Sequence, residues 1–409
     1  MKKNDFIKKY GKEPQTVAPN FVGKTVSKNY QVETSIIEFI DNAYDAKVKG
    51  QDLTVEIKSD EVNHRLTIVD NGSGISDESK LFMLGGTDKE RAIDKIGKYG
   101  IGACGATVAL ALNCVFDKNS IVDVTYESAC NGKLFVKHVG VNPSDETPYY
   151  GTAIFKDCDT TKHYTKIVFD NVAFKSQIAK VVDTIEETFE ETLQSNLSVV
   201  VNGRQLGKTM KHTFVGDEIP IHVNVGDFPT YLKYRVIGGE GKEDRKFEET
   251  GLRVYDKNSH RLLAKDTKLW KYFAGKEAQQ AICGLRCGIY IDSSLDCYNM
   301  FGIKPQKNGI EYKLYYNKPE FKELKDELDK IYRKQSYNSA TRLEDKTIEI
   351  DGVSITTAPL DKGVFYTKIG KKSIIVKEKL TKKDILSIII ENVNLHEKCE
   401  RLTHKSYKK

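Results

Sequence analysis

The sequence predicts an α+β sandwich followed by an α/β domain. Helix and strand periodicities are mixed along residues 31–170, many of the strands are joined by short turns, and a new run of helix and strands begins beyond residue 171. Residues 1–30 hold Pro14 and Pro19 and read as an irregular arm. From Glu33 to Val48 the pattern is helical, with Ile36, Ile40 and Ala43 recurring on one stripe. Leu53–Lys58 and Arg65–Val69 alternate as strands, the second ending in the turn DNGSG. A stretch rich in Gly and Lys then runs to Gly105 and into the apolar helix ATVALAL. Strands are expected around Ile121–Tyr126, Leu134–Val139 and Thr152–Lys156. Gln177–Leu197 reads as one long amphipathic helix, followed by the strand and turn LSVVVNGRQL. YLKYRVIG, GLRVYD and AICGLRCGIYID read as strands. Phe321–Arg333 reads as a helix with Phe321, Leu324, Leu328 and Ile331 on one face. TIEIDGVSI reads as a hairpin turning at Asp351 and Gly352, and a last helix opens at Thr381 with Asp384 three residues on. The expected organisation is an arm at 1–30, a first domain at 31–170, a second at 171–335 and a hairpin-and-helix tail at 336–409.

Composition narrows the class. Of 409 residues, 39% are hydrophobic and 30% charged, which suits a soluble globular chain and argues against extensive disorder. No apolar run approaches the ~18 residues that span a bilayer. MKKNDFIKKYGKEPQ lacks the apolar core of a signal peptide, so the expectation is a cytoplasmic protein with no membrane partner. The eight cysteines form no CxxC pair and read as reduced thiols; Cys283, Cys287 and Cys297 match no common zinc spacing. Sixty-four basic residues face 58 acidic ones, a net charge of +6 that permits contact with nucleic acid without demanding it.

Three segments carry chemistry. The helix SIIEFIDNAYDA places Glu38, Asp41, Asn42 and Asp45 on one face, opposite the apolar stripe. That face is acidic plus amide, without the Lys or Arg that a solvated face usually mixes in. Such oxygens suit a divalent cation and a hydrolytic water. In IVDNGSGI, Asp70 ends a strand, and Gly72 and Gly74 let the backbone turn and approach a ligand closely. In KIGKYGIGACGATVALAL, Gly97, Gly100, Gly102 and Gly105 run straight into a helix whose free N–H groups can hold phosphate. Two look-alikes are set aside. Gly100, Gly102 and Gly105 spell GxGxxG without the preceding buried strand of a dinucleotide fold, and GRQLGKT at 203–209 is one residue short of a Walker loop.

In type, order and spacing these three segments resemble the GHKL superfamily, which includes gyrase, the ninety-kilodalton heat-shock chaperone, sensor histidine kinases and MutL. The resemblance covers roughly residues 33–157 and looks closest to Morc-type and chaperone-like ATPases. It implies a Bergerat-type ATP-binding α/β sandwich followed by a transducer-like (S5-like) α/β domain. It also implies a role for each matching residue. Glu38 is the general base, Asn42 a magnesium ligand, and Asp70 the acceptor for the adenine amino group, with Asp45, Gly72 and Gly74 shaping that pocket. Gly97, Lys98, Gly100 and Gly102 form the lid over the phosphates, and Thr152 in GTAIFKD supports the adenine side. In MFGIKPQKNGIE, Lys307, with Lys304 second, is the lysine that reaches the terminal phosphate. Cys104, beside the lid, reads as a packed small side chain or as a low-pKa thiol at a helix N-terminus.

The activity implied is Mg2+-dependent ATP hydrolysis that drives homodimerisation and a conformational switch acting on DNA or a protein complex, as in bacterial DNA-transaction or phage-defence systems. A protein histidine kinase and a non-hydrolysing ATP-gated interaction module are the alternatives. The kinase is disfavoured because Glu38 and the D-N-A-x-D pattern belong to the hydrolysing branch.

Overall fold

The computed structural model describes residues 2–11, 21–82, 102–207, 214–215, 220–237, 251–265, 285–304, 307, 309–311, 318–331, 348–350, 353–361, 364–369 and 372–376. The chain divides into two units, residues 1–277 with 284–324, and residues 278–283 with 325–409.

The first unit opens with α1 (Lys3–Tyr10), which corrects the irregular arm expected for residues 1–30. Asp5 in its first turn and Lys8 and Lys9 in its last complement the helix dipole. Its anchor is Phe6, fully buried with Ile121 and Tyr149. Residues 22–29 form a further helical turn, and α2 (Val32–Asp45) follows.

A nine-stranded sheet carries these helices. Its strands are β1 (Leu53–Asp60), β2 (Arg65–Asp70), β3 (Val122–Cys130), β4 (Lys133–Asn142), β5 (Thr147–Tyr150), β6 (Ile154–Asp157), β7 (Tyr164–Asp170), β8 (Leu197–Val201) and β9 (Arg204–Gln205). The order is β5-β4-β3-β7-β2-β1-β8-β9, with β6 also paired to β4. All pairings are antiparallel except β1 with β8. The sheet thus continues past residue 170, because β8 pairs along β1 from Leu53↔Leu197 to Ile57↔Val201.

Alternation along β1 turns Leu53, Val55 and Ile57 into one core with α2, α3 (Gly102–Asn113) and α4 (Ile178–Thr188). Helix α3 is apolar on nearly all sides and buried from Cys104 to Ala111. On β4, Val139 and Val141 join that core while Gly140 lies against the Phe6 ring, so α1 covers the opposite face. The long helix expected over Gln177–Leu197 stops at Thr188; a short 3-10 turn, Thr192–Gln194, follows before β8.

A six-stranded sheet completes this unit: β10 (Phe214–Val215), β11 (Ile221–Val225), β12 (Phe228–Ile237), β13 (Gly251–Asp256), β14 (Leu262–Lys265) and β15 (Leu285–Ile291). The order is β10-β12-β15-β13-β14, with β11 paired to β12, and β13 runs parallel to β15. Helix α5 (Leu295–Phe301) follows, capped by Ser294, whose hydroxyl accepts the Cys297 N–H, and ended by Gly302 at φ 65°. Residues 322–331 are helical, and Phe321, Leu324, Leu328 and Ile331 are all buried, as their spacing predicts.

In the second unit, β16 (Ile348–Ile350) and β17 (Val353–Asp361) make the expected hairpin. The ladder continues through β18 (Val364–Ile369) and β19 (Lys372–Val376) as a four-stranded meander that the sequence reading left out. The helix expected from Thr381 lies outside the described residues.

Candidate active site

Helix α2 is the spine of the site. A reciprocal capping box between Gln31 and Thr34 starts it, the Gln31 N–H donating to Thr34 Oγ1 at 2.8 Å. Ile36, Ile37, Ile40 and Ala43 bury its apolar stripe in the sandwich core. The acidic face is buried too. Glu38 is 4% exposed, Asp41 1% and Asp45 5%, so this is not a solvated helix surface; Asn42 is half-buried between them.

Two cations from distant segments reach these carboxylates. Arg261, at the head of β14, donates through Nε to Asp41 Oδ1 at 2.6 Å. The Lys307 ammonium donates to Asp41 Oδ2 at 2.6 Å and lies 3.3 Å from Glu38 Oε1. Arg261 also donates through one guanidinium nitrogen to the carbonyls of Leu262 (2.8 Å) and Lys307 (3.1 Å), fixing the backbone that carries the lysine. Lys307 sits at φ 51°, a left-handed conformation that a non-glycine residue holds at a cost of about 1–2 kcal/mol. The turn around it is closed by the Lys307 N–H donating to the Lys304 carbonyl and the Lys304 N–H to Gly309, while the Lys304 side chain is exposed. Of the two candidate lysines, the structure brings Lys307 to the α2 carboxylates.

Burial pushes the Glu38 carboxyl up, Lys307 pulling it back in part. For Lys307, burial pulls the ammonium down, but the charges of Asp41 and Glu38 outweigh it and hold the lysine above its ordinary value. Arg261 is aimed by the β13–β14 turn. Asp256, fully buried, accepts the N–H groups of Asn258 (3.1 Å) and Ser259 (2.7 Å), the Ser259 hydroxyl, and the Tyr298 hydroxyl from α5 (3.0 Å).

Helix α3 meets the same face. A Cβ on Gly102, the first residue of α3, would stand 2.3 Å from Glu38 Oε2, so the carboxylate fits against α3 only because that residue has no side chain. Gly97, Lys98 and Gly100 lie outside the described residues. Cys104 is buried with its sulfur 3.2 Å from the Tyr150 hydroxyl, and burial pushes its thiol up to about 11. The low-pKa thiol alternative is therefore corrected: Cys104 is a packed side chain.

At the far end of α2 lies Asp70, last residue of β2. Its Oδ1 accepts the Gly72 N–H at 2.9 Å, and the carboxylate also accepts the backbone N–H of Thr165 on β7. Burial nevertheless lifts its pKa to about 6. The Ser73 N–H donates to the Ala46 carbonyl at 2.7 Å, tying this loop to the end of α2. A Cβ on Gly72 would press on Asp70 Oδ1 and the Ala46 carbonyl, and one on Gly74, at φ 75°, would stand 2.2 Å from the Ala129 carbonyl.

Residues 30–165, about a third of the chain, match the family model described as Histidine kinase-, DNA gyrase B-, and HSP90-like ATPase. No curated protein matches the chain. The match supports ATP binding and ATPase-type chemistry, and the sheet with its helical layer is the α+β sandwich that the sequence predicts.

The structure places one expected residue elsewhere. Thr152 is exposed, and its backbone N–H donates to the Tyr10 carbonyl at 3.2 Å, so it fastens α1. The threonine across the ladder from Asp70 is Thr165, buried on β7. Sequence reasoning also missed Arg261, which stands 220 residues from Asp41 and in no motif. An arginine at a strand start after a polar turn gives no local signal of its partner.

Proposed function

We propose that the protein binds ATP with Mg2+ along α2 and hydrolyses it, and that occupancy of the site switches the protein between conformations. The observation that carries this reading is the buried Glu38–Asp41–Lys307–Arg261 cluster, in which a lysine from the second sheet's side of the unit meets the acidic face of the family-matched domain. Structural stability alone gives little reason for it, since burying four charges roughly breaks even against an apolar core.

In this reading Asp70 accepts the adenine amino group and the Gly72–Gly74 turn leaves room for the base. Glu38 orients the attacking water and takes its proton. Lys307 turns to the terminal phosphate, and Asp41 stays neutralised by Arg261 when it does, so the lysine can leave without stranding a carboxylate. The donor set fits magnesium. Among the described residues no group of three or more His, Cys, Asp and Glu could hold a metal ion. Mg2+ bound chiefly by phosphates and water needs only one or two protein oxygens, and the Asn42 amide, one turn from Glu38, is one. The metal would supply charge neutralisation across the phosphates.

The resemblance to Morc-type and chaperone-like ATPases supports the rest of the reading: a nucleotide-gated homodimer acting in the cytoplasm on DNA or a protein complex. No helix among the described residues is long and apolar enough to cross a membrane. Calorimetric titration of the full chain with ATP, with and without Mg2+, tests the binding step. Saturable binding that tightens with Mg2+ is expected; no heat in either titration overturns the reading.

A further inference from the structure

Two buried polar atoms beside α3 make no hydrogen bond: the Tyr30 hydroxyl, and Glu38 Oε1, whose one contact is the ion pair with Lys307 at 3.3 Å. Native proteins satisfy nearly all such atoms, and a buried hydroxyl left without a partner is destabilising. Both belong to one place. The Glu38 carboxylate lies against Gly102 through Oε2, with Oε1 turned to Lys307, and the Tyr30 ring lies against Gly105, where an added Cβ would meet its Cε2 at 2.6 Å. The first turn of the twelve-residue helix α3 is therefore flanked by a phenol without a partner and by a carboxylate whose Oε1 is held only by the Lys307 ion pair, which the hydrolytic reading moves to phosphate. The Tyr30 backbone is tied to the 22–29 turn, its N–H donating to the Ser27 carbonyl at 2.9 Å. Tyr30 is 3% exposed, so bulk solvent does not satisfy it. Burial first, and the Glu38 charge second, push the phenol above its ordinary value, which keeps it a donor at neutral pH.

We propose that Tyr30 is a further catalytic residue, its O–H and Glu38 Oε1 together holding the water that attacks the terminal phosphate. This rests on the hydrolytic reading above. The water gives one proton to Glu38 and accepts the Tyr30 O–H on one lone pair, leaving the other lone pair for phosphorus. As attack proceeds, the water O–H bond breaks toward Glu38, the oxygen–phosphorus bond forms, and the bond to the bridging oxygen breaks, releasing ADP. Glu38 then returns its proton to the departing phosphate. Negative charge on the attacking oxygen rises as its proton leaves, so the Tyr30 hydrogen bond strengthens in the transition state, where it lowers the barrier.

Tyr30→Phe removes the hydroxyl and keeps the ring that packs on α3. Phosphate release, ATP affinity and thermal midpoint are measured together on wild type and variant. The expected result is a kcat roughly 10- to 100-fold lower, with KM and ATP affinity within about twofold and the thermal midpoint unchanged or raised. A kcat equal to wild type overturns the proposal, as does a loss of kcat matched by loss of affinity or of the thermal midpoint, which marks a packing role. Wild-type protein that binds ATP and releases no phosphate overturns the hydrolytic reading itself, and this proposal with it.

Discussion

Asp70 is the residue whose environment makes the clearest statement. Two backbone N–H groups favour its charged form, yet burial dominates and lifts the carboxyl to about 6. Its folded pKa lies above the unfolded value of about 4, so the buried charge weakens the fold at pH above about 6 and costs nothing below about 4. Asp70→Asn is therefore expected to raise the thermal midpoint of the ligand-free protein at pH 7.5, the two proteins converging near pH 4. The same titration governs the ligand. Affinity for ATP in the wild type is expected to fall as pH drops through about 6. The asparagine variant, weaker at pH 7.5, is expected to show no such step; calorimetry at several pH values reads both. The aspartate itself was legible in DNGSG. Its partner Thr165 was not, because the register of β2 against β7 joins residues 95 positions apart by backbone pairing that no local pattern encodes.

At the scale of elements, α2 shows how an amphipathic pattern misleads when both faces are buried. Its period was legible, and so was the absence of cations on the acidic face. What covers that face was not, because Arg261 and Lys307 come from a β-turn and a loop hundreds of residues on. Asp41 is the carboxylate that both cations share. Asp41→Asn removes the carboxylate that Arg261 and Lys307 share, leaving Glu38 as the one carboxylate beside Lys307, and is expected to cost about 3–5 kcal/mol by denaturant unfolding. An unchanged midpoint would mean that solvent reaches the pair. Helix α1 was missed for a simpler cause. A short lysine-rich segment has little helical preference of its own, and it is fixed by Phe6 docking beside Gly140, a contact that only the folded sheet offers.

For the whole molecule, the family match covers most of the sandwich, and within the same unit Arg261, at the head of β14, and Lys307, in the turn after α5, reach its α2 carboxylates. In the proposed reading, a ligand that takes Lys307 away from Asp41 leaves Arg261, at the head of β14, as the remaining charged contact with Asp41, which would be the physical basis of a nucleotide-gated switch. Light scattering on the full chain with a non-hydrolysable ATP analogue and Mg2+ is expected to show a doubling of mass over the ligand-free protein. A mass that stays constant would confine the switch to one chain.

The most direct test of the central claim is phosphate release at saturating ATP and Mg2+, comparing wild type with Glu38→Ala while ATP affinity is measured on the same samples. The account expects turnover to fall at least 100-fold, with affinity kept within a few-fold, because Glu38 meets the water and not the nucleotide. Equal turnover in the two proteins would contradict it.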